Sequence, residues 1–471
     1  MKKSISIFWF RQDLRISDNP GFLEASKLGS VMPIYIFDDC APEKFKIGQA
    51  SKIYLGNSLE SLNKTLKNKL NFYCGDSQKI ILDLVKKYEI WNVFWNRCFE
   101  PWILEKDSKI EEKLKSIGAE CKIYNRSYLI NPEEIKTATN SYYKIFGAFK
   151  RKVLTHNFDK PVPAPKILNL IKDSDNKTTL SDLNLCKDKL WQEKVKNEWS
   201  FGEKAAQKKL YKFIKIKLSG YEKYRNFPGY NHISKLSPNL HLGEISPHQI
   251  VDKLSNPKKL DAKKSDIDCF VGEIIWREFA NYLMFHFKEL HSNNFVEKFD
   301  NFPWKYDEKL LQAWKTGQTG YPLIDAGMRE LSQTGFMHNR VRMVVASFLV
   351  KNLMIHWHTG RDWFWDCLVD ADLASNSFNW QWIAGCGVDP TPYFRIFNPT
   401  LQGDKFDKDG LYTRKFVPEL QNMPNKYLFK PWKAPEKILL SAGIKLGTDY
   451  PKPIISLEAS RNRALAAFKS I

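Results

Sequence analysis

The hydrophobic pattern of the chain changes once along its length, and this change limits the folds that it can adopt. The first third alternates short apolar runs with amphipathic segments, which is typical of a parallel sheet wrapped by helices. We predict strands at residues 5–10, 31–37, 71–74, 91–95 and 121–124. We predict the intervening helices at residues 19–28, 49–67, 78–88 and 105–116. Residues 1–130 should therefore form a doubly wound α/β domain, whose ligand crevice lies beyond the carboxyl ends of its strands.

The remainder of the chain has no strand-like alternation. The sequence DKPVPAPK at residues 159–166 precedes a polar, lysine-rich stretch, so we interpret residues 131–200 as an interdomain connector. From residue 202 onward apolar residues recur at helical spacing, as in 267–287 and 340–355. The predicted fold class is thus α/β plus all-α, with a helical second domain at residues 201–471.

Charge and cysteine content indicate the class of partner and the compartment. Lys and Arg outnumber Asp and Glu by 73 to 53, a net charge of +20, which favours a polyanion such as nucleic acid. A generally lysine-rich composition is the alternative, because many lysines lie in the solvated stretch at 150–217.

The eight cysteines include no C-x-x-C pair, so neither a metal site nor a disulfide framework is indicated. Without a long apolar segment, we expect no membrane association and a cytoplasmic location.

One segment of the helical half combines aromatic, amide and charged residues. Residues 334–382 contain TGFMHNRVRM, DADLASN and NWQW. Buried polar side chains need hydrogen-bond partners. Five residues of the segment would need them: Asn339, Arg340, Asp370, Asp372 and Asn376. A large ligand that is both polar and aromatic would supply these partners.

The residues alone leave alternatives open. Glu273 lies three and four positions before Trp276 and Arg277, which suits either a helix salt bridge beside a core tryptophan or a surface that stacks on a nucleobase. Asp370 and Asp372 suit a paired-carboxylate hydrolase or a helix cap.

An ordered set of motifs identifies the chain as a member of the photolyase/cryptochrome flavoprotein family. The motifs are FWFRQDLRISDNP, ISKLSP, GEIIWREF, KTGQTGYPLIDAGMREL, TGFMHNRVRM, DADLASN, NWQW and PYFRIFNPTLQG. Together they resemble class I cyclobutane pyrimidine dimer photolyases most. The resemblance implies light-dependent DNA repair by an N-terminal antenna domain and a helical domain that binds FAD.

The resemblance also implies which residues contact FAD. On the matching positions, one group lines the phosphates and ribityl chain: Tyr221, Ile233, Ser234, Lys235, Leu236 and Ser237. A second group approaches the flavin and sugar: Arg277, Asn339, Asp370, Ala371, Asp372 and Asn376. Ile233 stands where the family usually carries Thr, and Lys235 where it usually carries Arg, so a phosphate hydrogen bond is expected to be lost at Ile233.

The substrate implied by the resemblance is ultraviolet-damaged DNA, double- or single-stranded, with the dimer flipped out of the stack. Photolyases are among the known examples of base flipping. The residues expected to contact the dimer or the flanking backbone are Arg225, Glu273, Trp276, Asn339, Arg340, Met343, Trp382 and Gln402. Light-excited reduced FAD would donate an electron to the dimer, with Glu273 and Asn376 as catalytic residues. Trp380, Trp357 and surface-exposed Trp304 match the family's photoreduction chain.

Several alternatives remain within the family. A cryptochrome-type photoreceptor would share the fold and FAD, but Asn376 and the complete dimer pocket favour repair. A photolyase for the (6-4) photoproduct should carry a second His near Asn339, and an iron–sulfur member should carry four cysteines in its helical domain, where only Cys269, Cys367 and Cys386 occur. The antenna chromophore is open among methenyltetrahydrofolate, a deazaflavin, a flavin or none. A monomer is the family expectation.

Overall fold

The computed structural model describes residues 4–38, 40–185, 189–389 and 394–471. It begins with five strands: β1 Ser4–Phe10, β2 Gly29–Phe37, β3 Asn71–Cys74, β4 Asn92–Asn96 and β5 Glu120–Tyr124. They form one sheet in the order β3-β2-β1-β4-β5, in which every described pair is parallel. The helices that connect them are α1 Pro20–Leu28, α2 Gln49–Thr65, α3 Ser77–Tyr88 and α4 Pro101–Ser116. The predicted fold class is confirmed.

Alternation along β1 explains why both faces of the sheet are covered. Successive side chains of a strand point to opposite faces. Phe8 and Phe10 both pack against Phe22 of α1, with ring centroids 5.3 and 5.4 Å apart. Ile7 and Trp9 belong to the opposite core, where Trp9 meets Trp95 of β4 edge to face. This continuous apolar strand is what a parallel sheet buried on both faces requires.

The elements that follow the sheet in the described part of the chain are helical. The helices from residue 131 to residue 254 are α5 Phe146–Val153, α6 Lys189–Glu198, α7 Glu203–Ile216, α8 Tyr221–Tyr224, α9 Ser237–His241 and α10 Pro247–Leu254. The next are α11 Lys264–His286, α12 Glu308–Thr316, α13 Pro322–Thr334, α14 Asn339–Ser347, α15 Trp357–Cys367 and α16 Leu373–Ala384. The last are α17 Pro399–Phe406, α18 Leu411–Phe416, α19 Asn425–Leu428, α20 Glu436–Ser441 and α21 Leu457–Lys469.

The helix predicted at residues 340–355 is shorter than expected. α14 ends at Ser347, and a single π-helical turn, Phe348–Asn352, follows it. In this wider turn the buried Lys351 donates its Nζ to the carbonyl of Ala384 at 2.5 Å. Hydrophobic spacing does not distinguish an α-turn from a π-turn. The predicted helix therefore extends beyond the residue at which α14 ends.

Internal contacts divide the chain into two compact units. Unit 1 comprises residues 1–219, 234–288 and 369–374, and unit 2 comprises residues 220–233, 289–368 and 375–471. The predicted boundaries at residues 130 and 200 stay a prediction. No helix within the described residues is both long enough and apolar enough to cross a membrane.

Candidate functional site

Two distant segments of unit 1 meet at Ser237 and Asp370. The Ser237 hydroxyl, at the first residue of α9, donates to Oδ2 of Asp370 at 2.5 Å. Next to this contact, Nδ1 of His241 lies 3.5 Å from Oδ2 of Asp372. The segment that contains both aspartates, residues 369–374, belongs to unit 1 although it lies far along the chain. This cluster combines hydroxyl and carboxylate groups, the donor and acceptor types that bind the hydroxyls of a ribose or ribityl chain.

The turn before α9 contains the remaining predicted residues of this stretch. The Leu236 amide donates to the Ser234 hydroxyl at 3.4 Å, and Lys235 adopts a left-handed conformation with φ of 52°. The Nζ of Lys235 lies 2.6 Å from Glu198 of α6. The cation that stands at the usual arginine position is therefore engaged by a carboxylate of the same unit.

Arg277 of α11 pairs with a different partner from the one that its spacing suggested. Its guanidinium donates to Oε1 of Glu278 at 3.1 Å and to the carbonyl of Ser127 at 3.1 Å, and it lies 4.9 Å from the ring centroid of Tyr128. Glu278 also accepts the Leu129 amide at 2.8 Å. Burial raises the pKa of Glu278 to about 7, against the opposing effect of Arg277. These bonds hold the Arg277 side chain in place.

Trp276 precedes Arg277 on α11 and is only half-buried. Its indole stacks on Phe146, the first residue of α5, with centroids 3.4 Å apart and ring planes 7° apart. Glu273, one turn earlier on α11, is half-buried as well. A carboxylate and an aromatic face thus lie on neighbouring turns of one helix. Phe146 was missed by the sequence reasoning; its only signal is the i, i+3 spacing of Phe146 and Phe149.

In unit 2, α14 presents the basic residues of the HNRVRM motif. His338 caps the helix by accepting the Arg340 amide on Nδ1 at 3.2 Å, and its own amide donates to Glu330 at 3.0 Å. Arg340 donates to Asn226 at 2.7 Å and lies 4.5 Å from the ring centroid of Phe406. Asn339 is exposed on the first turn. Glu330 is a second residue that the sequence reasoning missed, because a lone glutamate within an amphipathic helix is normally solvated.

Positive charge is concentrated around Arg340. Burial lowers the pKa of Arg340, and the neighbouring cations Arg225 and Arg395 lower it further. Arg225 follows α8 directly and lies 5.6 Å from the ring centroid of Tyr221. Three arginines in one unit favour a polyanionic ligand such as a phosphodiester backbone.

Two of the predicted substrate-contacting residues in unit 2 carry a buried polar atom that lacks a partner within the part of the chain that the structure describes. These atoms are Nε of Arg340 and Oε1 of Gln402, both shielded from solvent. Gln402 lies on α17, while Met343 lies half-buried on α14 and Ile233 half-buried before α9. Buried polar atoms without a partner are rare in folded proteins, so these atoms suit a polar ligand.

α16 carries the other predicted residues of unit 2. Asn376 donates a hydrogen bond from its Nδ2 to the Arg361 carbonyl at 3.1 Å. This bond identifies the other atom of the side-chain amide, Oδ1, as the hydrogen-bond acceptor. The hydroxyl of Ser377 is buried and has no hydrogen-bond partner among the described residues. Trp382 donates its Nε1 to the Asp389 carbonyl at 3.1 Å, so the turn after α16 orients the indole.

The three tryptophans of the predicted photoreduction chain all belong to unit 2. Trp380 and Trp357 are buried, and Trp357 donates its Nε1 to Asn294 at 2.9 Å. The ring of His356 contacts both of the outer two, with its centroid 5.9 Å from that of Trp357 and 4.9 Å from that of Trp304. Trp304 is half-buried rather than surface-exposed, because it packs against Phe302 at 4.5 Å as well as His356.

Comparison with known proteins assigns the family. The family model described as DNA photolyase matches residues 6–166, and the FAD binding domain of DNA photolyase matches residues 270–470. A deoxyribodipyrimidine photo-lyase of Agrobacterium fabrum is 42% identical over 100% of this chain and 99% of its own length. The chain belongs to the DNA photolyase family.

Other relatives refine this membership of the photolyase family. Cryptochrome-1 of Arabidopsis thaliana is 35% identical over 97% of this chain and 69% of its own length. The crystal structure of a bacterial class III photolyase from Agrobacterium tumefaciens superposes with a TM-score of 0.96 at 42% identity, covering 100% of this chain and 98% of that one. The class I assignment is therefore not confirmed. The motifs behind it match residues implied in flavin and lesion contact, and such residues do not by themselves separate one photolyase class from another.

The residues present fit the cofactor that the matched domain binds. FAD combines phosphates, polyol hydroxyls and a ring with polar edges. Within unit 1, the described side chains offer the Ser237 and Asp370 cluster and the anchored guanidinium of Arg277. The chain is accordingly a flavoprotein with an FAD-binding domain in its C-terminal part.

Proposed function

We propose that this protein repairs ultraviolet-damaged DNA by splitting cyclobutane pyrimidine dimers in a light-dependent reaction. The observation that carries the proposal is the half-buried Trp276 with Glu273 one turn before it on α11. An aromatic face beside a carboxylate suits a flipped, unstacked pyrimidine pair, because the indole can stack while the carboxylate accepts from the pyrimidine N–H groups. Light-excited reduced FAD, when bound, supplies the electron that opens the ring.

FAD binding is proposed for the residues named from the resemblance. The hydroxyls of Ser234 and Ser237 and the backbone from Ile233 to Leu236 bind the phosphates and ribityl chain with Tyr221. Asp370, Ala371 and Asp372 bind the sugar. Arg277, Asn339 and Asn376 contact the flavin, where the Oδ1 of Asn376 accepts a hydrogen bond from an N–H group of the ring. The side chain of Ile233 cannot donate to a phosphate, so the Ser234 hydroxyl and the backbone amides carry that role, while the Ser237 hydroxyl donates to Asp370.

Substrate binding is proposed for a second group of residues. Trp276 and Trp382 form aromatic walls around the dimer, and Met343 supplies an apolar contact. Glu273 and Asn339 hydrogen-bond the dimer, and Glu273 stabilises charge that develops on it. The arginine cluster of Arg225 and Arg340, together with Gln402, binds the flanking phosphodiester backbone, since backbone contacts position DNA without reading its sequence.

Photoreduction is proposed to run along Trp380, Trp357 and Trp304. Indoles are oxidisable, and the His356 ring contacts both Trp357 and Trp304. A second, antenna chromophore, a monomeric state and a cytoplasmic location belong to the proposal as well. The identity of the antenna chromophore stays open between a folate, a deazaflavin and a flavin.

A blue-light photoreceptor is the second candidate function. The observation in its favour is the 35% identity to Cryptochrome-1 of Arabidopsis thaliana. That relative is longer, however, since the chain covers 69% of it. The anchored Asn376 and the complete set of dimer-contacting residues favour repair over signalling.

The deciding experiment measures repair of a defined thymine cyclobutane dimer in an oligonucleotide by the purified, reduced protein. The reaction is run under blue light and in darkness, with a (6-4) photoproduct oligonucleotide alongside. We expect light-dependent loss of the cyclobutane dimer alone. If neither lesion is repaired although FAD is bound and reduced, the photoreceptor becomes the better assignment.

A further inference from the structure

The face-to-face stack of Phe146 on Trp276 joins the connector segment to the proposed lesion-binding helix. The two rings are 3.4 Å apart at an interplanar angle of 7°, so they are in direct contact over their faces. Phe279, one turn after Trp276, meets both rings obliquely, at 5.9 Å from Phe146 and 6.0 Å from Trp276. The indole is therefore bounded on one face by the connector and flanked by its own helix.

The helix that carries Phe146 is firmly attached to α11. Phe149, one turn further along α5, is fully buried and packs 4.9 Å from Phe279 and 5.0 Å from Tyr282. The Tyr282 hydroxyl accepts the Tyr143 amide at 3.1 Å and donates to the Ile135 carbonyl at 3.0 Å. Phe146 is thus held by a buried anchor one turn away, and its position does not depend on its own contact with Trp276.

A half-buried tryptophan binds a base well only if its ring plane is already set. Ordering a mobile side chain on binding lowers affinity by roughly 3–10-fold. Rotation of the Trp276 indole about its χ2 angle would drive it into the Phe146 ring, which lies parallel to it. The stack therefore restricts the indole to the plane that it has in this structure, before any ligand arrives.

We propose that Phe146 is a positioning residue for lesion recognition, which presets the plane of the Trp276 indole for stacking on the pyrimidine dimer. This inference rests on the proposed function. It adds α5 to the elements that recognise DNA. This helix lies in the segment that was predicted to be an interdomain connector. Phe146 acts through Trp276, so its removal weakens lesion binding without changing the rate of repair of the bound dimer.

The test compares variants by their dissociation constants for a single-stranded oligonucleotide with one thymine dimer and for its undamaged counterpart. We expect Phe146→Leu to weaken lesion binding by roughly 3–10-fold, with unchanged FAD content, single-turnover repair rate and affinity for undamaged DNA. Phe146→Tyr retains the stacked ring and should bind like the wild type. If the leucine variant fails to fold, Phe146→Met replaces it with the same expectation.

A matched control comes from the same segment. Tyr142 also stacks on α11, with its ring 4.1 Å from that of His286, but it does not touch Trp276. Tyr142→Leu should therefore leave lesion affinity at the wild-type value. An equal loss in this variant would mean that attachment of the segment matters and not the plane of Trp276, and it would overturn the proposal.

A double-mutant cycle separates positioning from direct contact. If Phe146 acts through Trp276, Phe146→Leu causes no further loss in a Trp276→Ala background. Wild-type lesion affinity of Phe146→Leu, or an equal loss with and without Trp276, would overturn the proposal. Failure of the proposed function has a different signature, because Trp276→Ala itself would then bind the lesion as tightly as the wild type.

Discussion

Gly360, on the first turn of α15, lies directly against the indole of Trp380. A methyl group at the Cα of Gly360 would overlap Cη2 and Cζ3 of that ring. The Trp380 ring also meets Phe364 at 5.0 Å and Trp314 at 6.4 Å, both edge to face. Because α15 begins at Trp357, its first turn contains one member of the proposed photoreduction chain and contacts another, Trp380, through Gly360.

We expect Gly360→Ala to displace Trp380, to destabilise the fold by about 1–3 kcal/mol and to slow photoreduction of bound FAD. Thermal unfolding and the light-driven change in flavin absorbance measure the two effects. Gly56→Ala, within α2, is the control, because its Cβ would meet Leu185 at 3.6 Å, an ordinary van der Waals contact. Wild-type photoreduction in the Gly360 variant would show that the position of Trp380 is not critical.

Trp304→Phe should slow photoreduction of oxidised enzyme, because phenylalanine is far harder to oxidise than indole. Repair by enzyme that is already chemically reduced should continue at the wild-type rate. Trp91→Phe serves as the control, since this tryptophan is 60% exposed in unit 1 and outside the proposed chain. Normal photoreduction in the Trp304 variant would remove Trp304 from the pathway.

Ser237→Ala should weaken FAD retention. The Ser237 hydroxyl bonds a buried carboxylate, and a hydrogen bond to a charged group contributes about 1.5–3 kcal/mol. If the contact orients Asp370 toward the cofactor, the dissociation constant of FAD rises by roughly tenfold or more. Titration of the apoprotein with FAD measures the change.

The control for this variant is Ser441→Ala, which removes a hydroxyl bonded only to the Lys437 carbonyl on an exposed helix. Its FAD affinity should equal that of the wild type. Equal affinity in both variants would exclude the Ser237–Asp370 contact from cofactor binding.

The pKa of Glu278 predicts a particular pH dependence of stability. Burial raises this pKa to about 7 in the folded protein, above the ordinary value of 4.5. Between these two values the folded state holds the proton and the unfolded state does not, so the contribution is complete below pH 4.5 and is lost as pH rises through 7.

Glu278→Gln should therefore flatten the decline in the free energy of unfolding between pH 5 and 7, by on the order of 1–3 kcal/mol. Denaturant unfolding at several pH values measures the slope. Glu105→Gln is the control, because the exposed pair with Lys109 lowers the pKa of Glu105 and confines its titration to more acidic solution. An unchanged slope in the Glu278 variant would contradict the pKa assignment.

Local patterns predicted the α/β part of the chain closely. The predicted strand at residues 71–74 coincides with β3, and the other four strands shift by no more than two residues at either end. α4 begins at Pro101, four residues before the predicted start, because proline is favoured in the first turn of a helix and its apolar continuation was not counted. These features depend on residues within a few positions of each other, which is the range that periodicity detects.

The hydrogen-bond partners of individual side chains were less predictable from the sequence. Spacing suggested a Glu273–Arg277 pair, whereas Arg277 bonds Glu278 and the distant Ser127 carbonyl. The π-turn after Ser347 could not be predicted either, because the spacing of its apolar residues is the same as in an α-helix. Which of several chemically suitable partners a side chain reaches depends on the packing of other elements.

The sequence alone determined the fold class, the family and the chemical kinds of residue available for a flavin and a DNA lesion, because ordered motifs and hydrophobic periodicity are properties of the linear chain. Only the tertiary structure decided that Ser237 meets Asp370 and that Phe146 covers Trp276. Each of these pairs joins segments about 130 residues apart. Such contacts form because whole helices bury their apolar faces together, and no local pattern specifies which surface side chains then meet.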